Sequence, residues 1–240
     1  MKRVAFLSLF LPLTVQSSFE AIDCGQESIF ENPAEIKPGI QTLWVQAFGI
    51  LPYTRISYST PYNIGFGISN FGTNDYRENE ILLGYSGRGL GVSVRAMGLW
   101  INGYGSDFAI GLDLGTRFQV TPSTNFILAL SNINFPRISG EELPKRVMGG
   151  FVIKPSPDYR INVLLYKEAW YPMEVRVSNE IELSNLLTLM VGIKTYPASF
   201  SFGGCFSPGG FDILYNARTH PTLGFTHIMG VNYFEGGGVR

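Results

Sequence analysis

The chain has 240 residues, 15% of them charged and 14% aromatic, with 28 glycines and a formal net charge of -1. That composition fits one folded unit and excludes a disordered polymer. It also excludes a nucleic-acid binder, because no basic run supplies the cations that phosphate neutralisation requires.

Lys2 and Arg3 precede an apolar run from Val4 to Val15 and then small or polar residues, the layout of a secretory signal. Residues 1–18 are therefore expected to be a signal peptide, residues 19–39 an N-terminal periplasmic or lumenal segment, residues 40–234 a barrel and residues 235–240 a flexible tail. Beyond the leader no run of about 18 apolar residues remains for a membrane helix.

From residue 40 onward the chain alternates. In "MEVRVSNEIEL" at 173–183, Glu174, Arg176, Glu180 and Glu182 take one parity, while Met173, Val175, Val177, Ile181 and Leu183 take the other. A strand sorts these sets onto opposite faces; a helix would scatter them. The pattern recurs at 107–120, 159–168, 187–195 and 199–207. Turn signals such as "SGRG" at 86–89 and "KPSPD" at 154–158 stand between the runs. Strands are expected near 40–48, 53–60, 63–71, 78–86, 89–101, 106–120, 124–134, 145–155, 158–168, 173–183, 186–196, 198–206, 210–218 and 222–234. The longest connection falls at 135–146.

The fold class is all-β, an antiparallel meander. Two architectures alternate in this way. A soluble sandwich would turn its apolar parity inward and carry Lys, Glu, Thr and Ser outside. Here the polar parity is thin, mixing Gly and Ser with isolated charges, as in the lumen of a barrel whose apolar wall meets lipid. The reading is a closed antiparallel transmembrane β-barrel of about fourteen strands, roughly twelve as the alternative, with a short N-terminal plug-like segment. Aromatic residues gather beside the turns in two sets, Tyr53, Trp100, Tyr104, Phe135, Trp170, Tyr171 and Tyr196 at one rim, and Tyr62, Tyr85, Phe118, Tyr159, Phe211, Tyr233 and Phe234 at the other. Membrane interfaces favour such belts.

The polar parity predicts a lumen lined by Arg95, Asp113, Arg117, Arg160, Glu174, Arg176, Glu180, Glu182 and Lys194. Around "AWYP" at 169–172, a hairpin is expected to set Arg160 opposite Glu182 and Tyr166 opposite Arg176. Such pairs hold charges in place or form a selectivity ladder. Catalysis finds no support: the chain has 2 histidines, with no nucleophile–His–acid grouping and no metal-ligand spacing. No enzyme activity, cofactor or metal is expected.

"FENPAEI" at 30–36, "AIGLDLGTRF" at 109–118, "LALSNIN" at 128–134, "EELPKRVMGGF" at 141–151 and "YPASFSFGGCFSPGGFDILYNARTHPTLGFTH" at 196–227 resemble, in this order, segments of the PorV/PorQ-type outer-membrane barrels of the FadL-like superfamily. Glu35 and Ile36 depart from the usual ending of the first motif. The resemblance implies a fourteen-stranded barrel in the outer membrane, with Asn32, Pro33 and Ala34 in a plug that meets ligand. It implies either passage of hydrophobic or amphipathic molecules or, as the alternative, service as a component of a protein secretion (type IX-like) or envelope assembly system. The expected partners are outer-membrane lipid and either hydrophobic small molecules or secretion-system proteins, with no nucleic acid. The segment before the first strand is too short for a full hatch domain. Cys205 falls on the lumen parity and Cys24 in the N-terminal segment, so a disulfide could pin the plug; two unrelated thiols are the alternative.

Overall fold

A computed structural model describes residues 29–48 and 51–234. The leader, Cys24 and the tail lie outside the described residues. The strands are β1 (Gly39–Ala47), β2 (Leu51–Ser59), β3 (Ile64–Gly72), β4 (Tyr76–Gly87), β5 (Leu90–Ile101), β6 (Gly105–Thr121) and β7 (Thr124–Ser131). After two short strands, β8 (Arg137–Ile138) and β9 (Glu141–Glu142), come β10 (Arg146–Ser156), β11 (Tyr159–Glu168), β12 (Glu174–Ser184), β13 (Leu187–Thr195), β14 (Ala198–Phe206), β15 (Phe211–His220) and β16 (Gly224–Tyr233).

Fourteen of these form one closed barrel, each antiparallel to its neighbours, and β1 seals against β16 from Ile40↔Tyr233 to Gln46↔His227. β8 and β9 make a separate two-stranded ribbon inside the connection from β7 to β10. Closure leaves no edge strand, which is what a sheet needs where water cannot satisfy its backbone. Two-residue hairpins set the register where the turn chemistry suits them: Arg88 and Gly89, both at positive φ, join β4 to β5 as a type I′ turn.

The apolar parity points outward. Ile56, Ile68 and Ile81 sit side by side on β2, β3 and β4, all exposed, while their chain neighbours Arg55, Ser57 and Leu82 are buried. The same division runs along β12–β14, where Ile193, Phe200 and Phe202 face out and Arg176, Ser178 and Ser201 face in. This rules out the sandwich, whose apolar residues would meet across two layers.

Three expectations need correction. The run at 124–134 stops at Ser131, because Asn132 takes a positive φ. From there Asn134 uses its side chain to bond the Leu112 N–H and the Ile110 carbonyl in place of a strand. The β11–β12 hairpin sets Arg160 opposite Glu180 and Tyr166 opposite Glu174. Its turn closes one residue earlier than expected, with the Tyr171 N–H bonded to the Glu168 carbonyl at 3.2 Å, and this shifts every partner by two. Tyr53, expected in an aromatic belt, instead packs on a cluster inside the lumen.

Candidate functional site: a plugged lumen

The first described residues enter the barrel at the end that carries the Arg88–Gly89 turn, called here the plug mouth. "NPAE" at 32–35 is a tight turn: the Glu35 N–H bonds the Asn32 carbonyl at 2.9 Å, and the Asn32 side chain accepts the Ala34 N–H at 3.0 Å. Asn at the first turn position and Pro at the second are the residues this geometry favours. Asn32 is wholly buried and donates to the Thr116 carbonyl at 3.3 Å. Ile29, Phe30 and Ile36 pack against Leu82 of the wall.

The wall is hollowed to receive this segment. Gly65, Gly67, Gly84, Gly91 and Gly115 all turn their missing side chains toward it: a Cβ on Gly67 would lie 2.5 Å from the Phe30 ring, and one on Gly91 or Gly115 would overlap the Pro33 carbonyl or the Asn32 amide. Charges complete the seat. Glu31 meets Arg55 at 3.7 Å, Arg55 lies 4.8 Å from the centre of the Phe30 ring, and Glu35 meets Arg117 at 3.4 Å.

Above the plug, Arg95 and Asp113 form the densest polar knot. The Arg95 fork donates to Asp113 Oδ2 from Nε at 2.9 Å and from Nη2 at 2.7 Å, and Nη1 lies 2.6 Å from Glu80. Ser93 donates to the same Asp113 oxygen at 3.1 Å. Two carboxylates around one guanidinium, with hydrogen bonds filling the remaining sites, offset a desolvation cost that an unpaired buried charge could not.

At the opposite end, the loop mouth, the connection 132–145 folds down onto the lumen. Ile138 and Leu143 are buried against Leu99 and Ala109 of β5 and β6. Asp107 accepts the Ser139 N–H, and the Asn132 side chain ties the two legs of the loop by donating to the Pro144 carbonyl at 2.9 Å.

The wall from β10 to β16 is built otherwise. Glu174 pairs with Arg176 and, at 3.4 Å, with Lys194; Arg176 lies 4.2 Å from the centre of the Tyr166 ring. Arg160 meets Glu180 at 3.5 Å, and Asn162 donates to Ser178 at 3.0 Å and Glu180 at 3.2 Å. Beside this ladder run apolar patches: Val45, Met190, Cys205, Leu214 and Ile228 pack together inside the barrel, with Leu43 and Tyr53 against them. A second patch joins Ile127, Ala129, Met148, Val152 and Leu164.

The structure thus gathers Asn32, Pro33 and Ala34 with Arg117 at the plug, Arg95 with Asp113 above it, and Arg160, Glu174, Arg176, Glu180 and Lys194 along the far wall. Glu182 keeps the inward parity but sits exposed at the rim. Cys205 is buried in the lumen, 3.7 Å from the Ser207 hydroxyl, while its candidate partner Cys24 lies outside the described residues. Sequence reasoning missed Asn132, Glu80 and the glycine seat. A glycine recurring on the inward parity at 65, 67, 84, 91 and 115 was the available signal.

No family model matches the chain, and neither does any curated protein. Solved structures do match. A mutant of the TodX monoaromatic hydrocarbon channel aligns with 87% of this chain and 92% of its own at 10% identity and a TM-score of 0.60. The Pseudomonas putida toluene transporter TodX aligns over the same shares at 11% identity and 0.58. The CymD monoaromatic hydrocarbon channel covers 88% of this chain and 92% of its own at 12% identity and 0.52. The shared property is the closed-barrel fold. These likenesses give the secretion-component alternative no support, and the PorV/PorQ-type resemblance rests on its sequence motifs alone.

Proposed function

We propose that the chain is an outer-membrane barrel that passes or accommodates small hydrophobic or amphipathic molecules through its lumen, without catalysing a reaction. The observation behind this reading is the inward-facing apolar cluster of Val45, Met190, Cys205, Leu214 and Ile228, which packs shut in this structure and becomes a lane when its side chains part. A pore for ions or sugars is lined by polar groups, whereas a lane of this kind lets an apolar solute keep contact with apolar surface as it leaves the membrane exterior. The exterior supports the location: exposed Ile, Leu, Val and Phe cover the strand walls, as hydrocarbon demands and water does not. The monoaromatic hydrocarbon channels whose fold the chain shares fit the same reading.

The test is uptake in a Gram-negative host of a fluorescent naphthylamine that an intact outer membrane excludes, with a disaccharide as the polar control. Cells producing the protein should take up the naphthylamine faster than cells without it and show no gain for the disaccharide. Met190→Arg, which sets a charge in the lane, should abolish the gain while heat-modifiable gel migration shows the barrel still folded. Equal naphthylamine entry with and without the protein would overturn the reading.

A further inference from the structure

The plug and the loop enter the lumen from opposite ends and meet at one carboxylate, the loop directly and the plug through Arg95. Asp113 Oδ1 accepts the Asn132 N–H at 3.0 Å, at the root of the loop. Asp113 Oδ2 holds Arg95, and Arg95 Nη2 also donates to the Phe30 carbonyl of the plug at 3.0 Å. Loop, Asn132, Asp113, Arg95 and plug therefore form one unbroken polar chain across the lumen. Its inner members are sealed from water, Asp113 at 1% exposure, Asn132 at 3% and Arg95 at 4%.

We propose that Asp113 is a positioning residue that couples the two closures, so that displacing either one releases the other. The physics is that of a buried charge with shared partners. When the plug leaves and takes the Phe30 carbonyl with it, Arg95 loses one acceptor and gains access to water, which weakens its hold on Asp113. A carboxylate losing its charge-assisted donors turns toward solvent, and the Asn132 N–H at the loop root is then left without an acceptor. Lifting the loop runs the sequence in reverse, because coupling between two sites is reciprocal. The ties that each closure makes separately, Asn32 to Thr116 and Glu35 to Arg117 for the plug and Asp107 to Ser139 for the loop, allow each to be loosened without touching the shared carboxylate.

The inference rests on the passage reading only for its consequence, and its test needs no solute. In a background with Cys24→Ser and Cys205→Ser, Ile138→Cys reports exposure of the loop and Phe30→Cys exposure of the plug, each through the rate of thiol alkylation in detergent micelles. Gly91→Ala, which drives a Cβ into the Pro33 carbonyl, should raise alkylation at Ile138→Cys about tenfold, within the range typical of coupled sites. Asp107→Ala should do the same at Phe30→Cys. Asp113→Asn should make both reporters fast, and a second perturbation should then add less than about twofold. Arg95→Lys keeps the charge but loses the fork; it should give the same loss of coupling and serves where Asp113→Asn does not fold. If Gly91→Ala leaves Ile138→Cys within about twofold of its parent, the two closures are independent and the proposal fails.

Discussion

The two halves of the inner wall solve the same problem by different means. From β2 to β6 the wall presents glycines and a few deeply buried charges, and the volume they leave is filled by the chain's own residues 29–37. From β10 to β16 it presents long side chains that fill the space themselves, in charge ladders and apolar patches. A receiving wall depends on something outside it, so its glycines are constrained by contact. A self-filling wall depends on cross-strand pairs, whose members can be exchanged as long as volume and charge balance survive.

That contrast sets the order of expected mutational effects. Asp113→Ala in the receiving wall leaves Arg95 without a partner it meets at 2.7 Å, and the loss should reach about 3–5 kcal/mol of unfolding free energy, measured by urea titration. Arg160→Met in the self-filling wall removes one end of a looser pair, 3.5 Å apart, and leaves the buried Glu180 with its bond from Asn162 at 3.2 Å, so it should cost less, about 1–2 kcal/mol. Equal losses at the two sites would erase the distinction between the halves.

The next effect contrasts the faces of the wall. Ile81 points outward at the middle of β4, 52% exposed, so Ile81→Arg should cost about 2–4 kcal/mol when unfolding is followed in lipid vesicles. In an aqueous setting the same change would be nearly free. A cost below about 0.5 kcal/mol in vesicles, the ordinary range for surface changes, would place that face in water.

The fold was legible because strand alternation reports which face a residue takes, and the fourteen expected runs overlap all fourteen barrel strands. Turn chemistry was harder to read. At the β11–β12 connection the choice between Glu168–Tyr171 and the following residue as the turn shifts every partner by two without altering either face, and no alternation pattern can see that. The loop itself was expected, at 135–146, but its start at 132 stayed hidden for a related reason. "LSNIN" alternates as a strand would, and only the positive φ of Asn132 and the side-chain clamp by Asn134 end the ladder there. Of the site, the inward charges were visible as polar residues on one parity. The partners of Arg95 were not: Glu80 reaches it diagonally across the β4–β5 hairpin, which depends on that hairpin's register, and Phe30 comes from the plug, which only the closed barrel receives.

The smallest effect differs in sign rather than size. Gly91 and Gly98 lie on the same strand, β5, one facing the plug and the other facing out. Glycine inside a strand is entropically costly, so replacing it with alanine gains about 0.5–1 kcal/mol wherever the new methyl has room. At Gly98 the nearest atom to a new Cβ is the Asn79 carbonyl at 3.9 Å, an ordinary contact, and Gly98→Ala should raise the unfolding midpoint. At Gly91 the methyl would occupy the place of the Pro33 carbonyl, so Gly91→Ala should lower the unfolding free energy by about 1–3 kcal/mol, the usual penalty for overpacking. Removing the plug reverses that second sign. In a variant lacking residues 29–37 the methyl at position 91 meets empty lumen, and Gly91→Ala should become stabilising like Gly98→Ala. If the penalty at Gly91 survives the deletion, the wall is strained by something other than the plug.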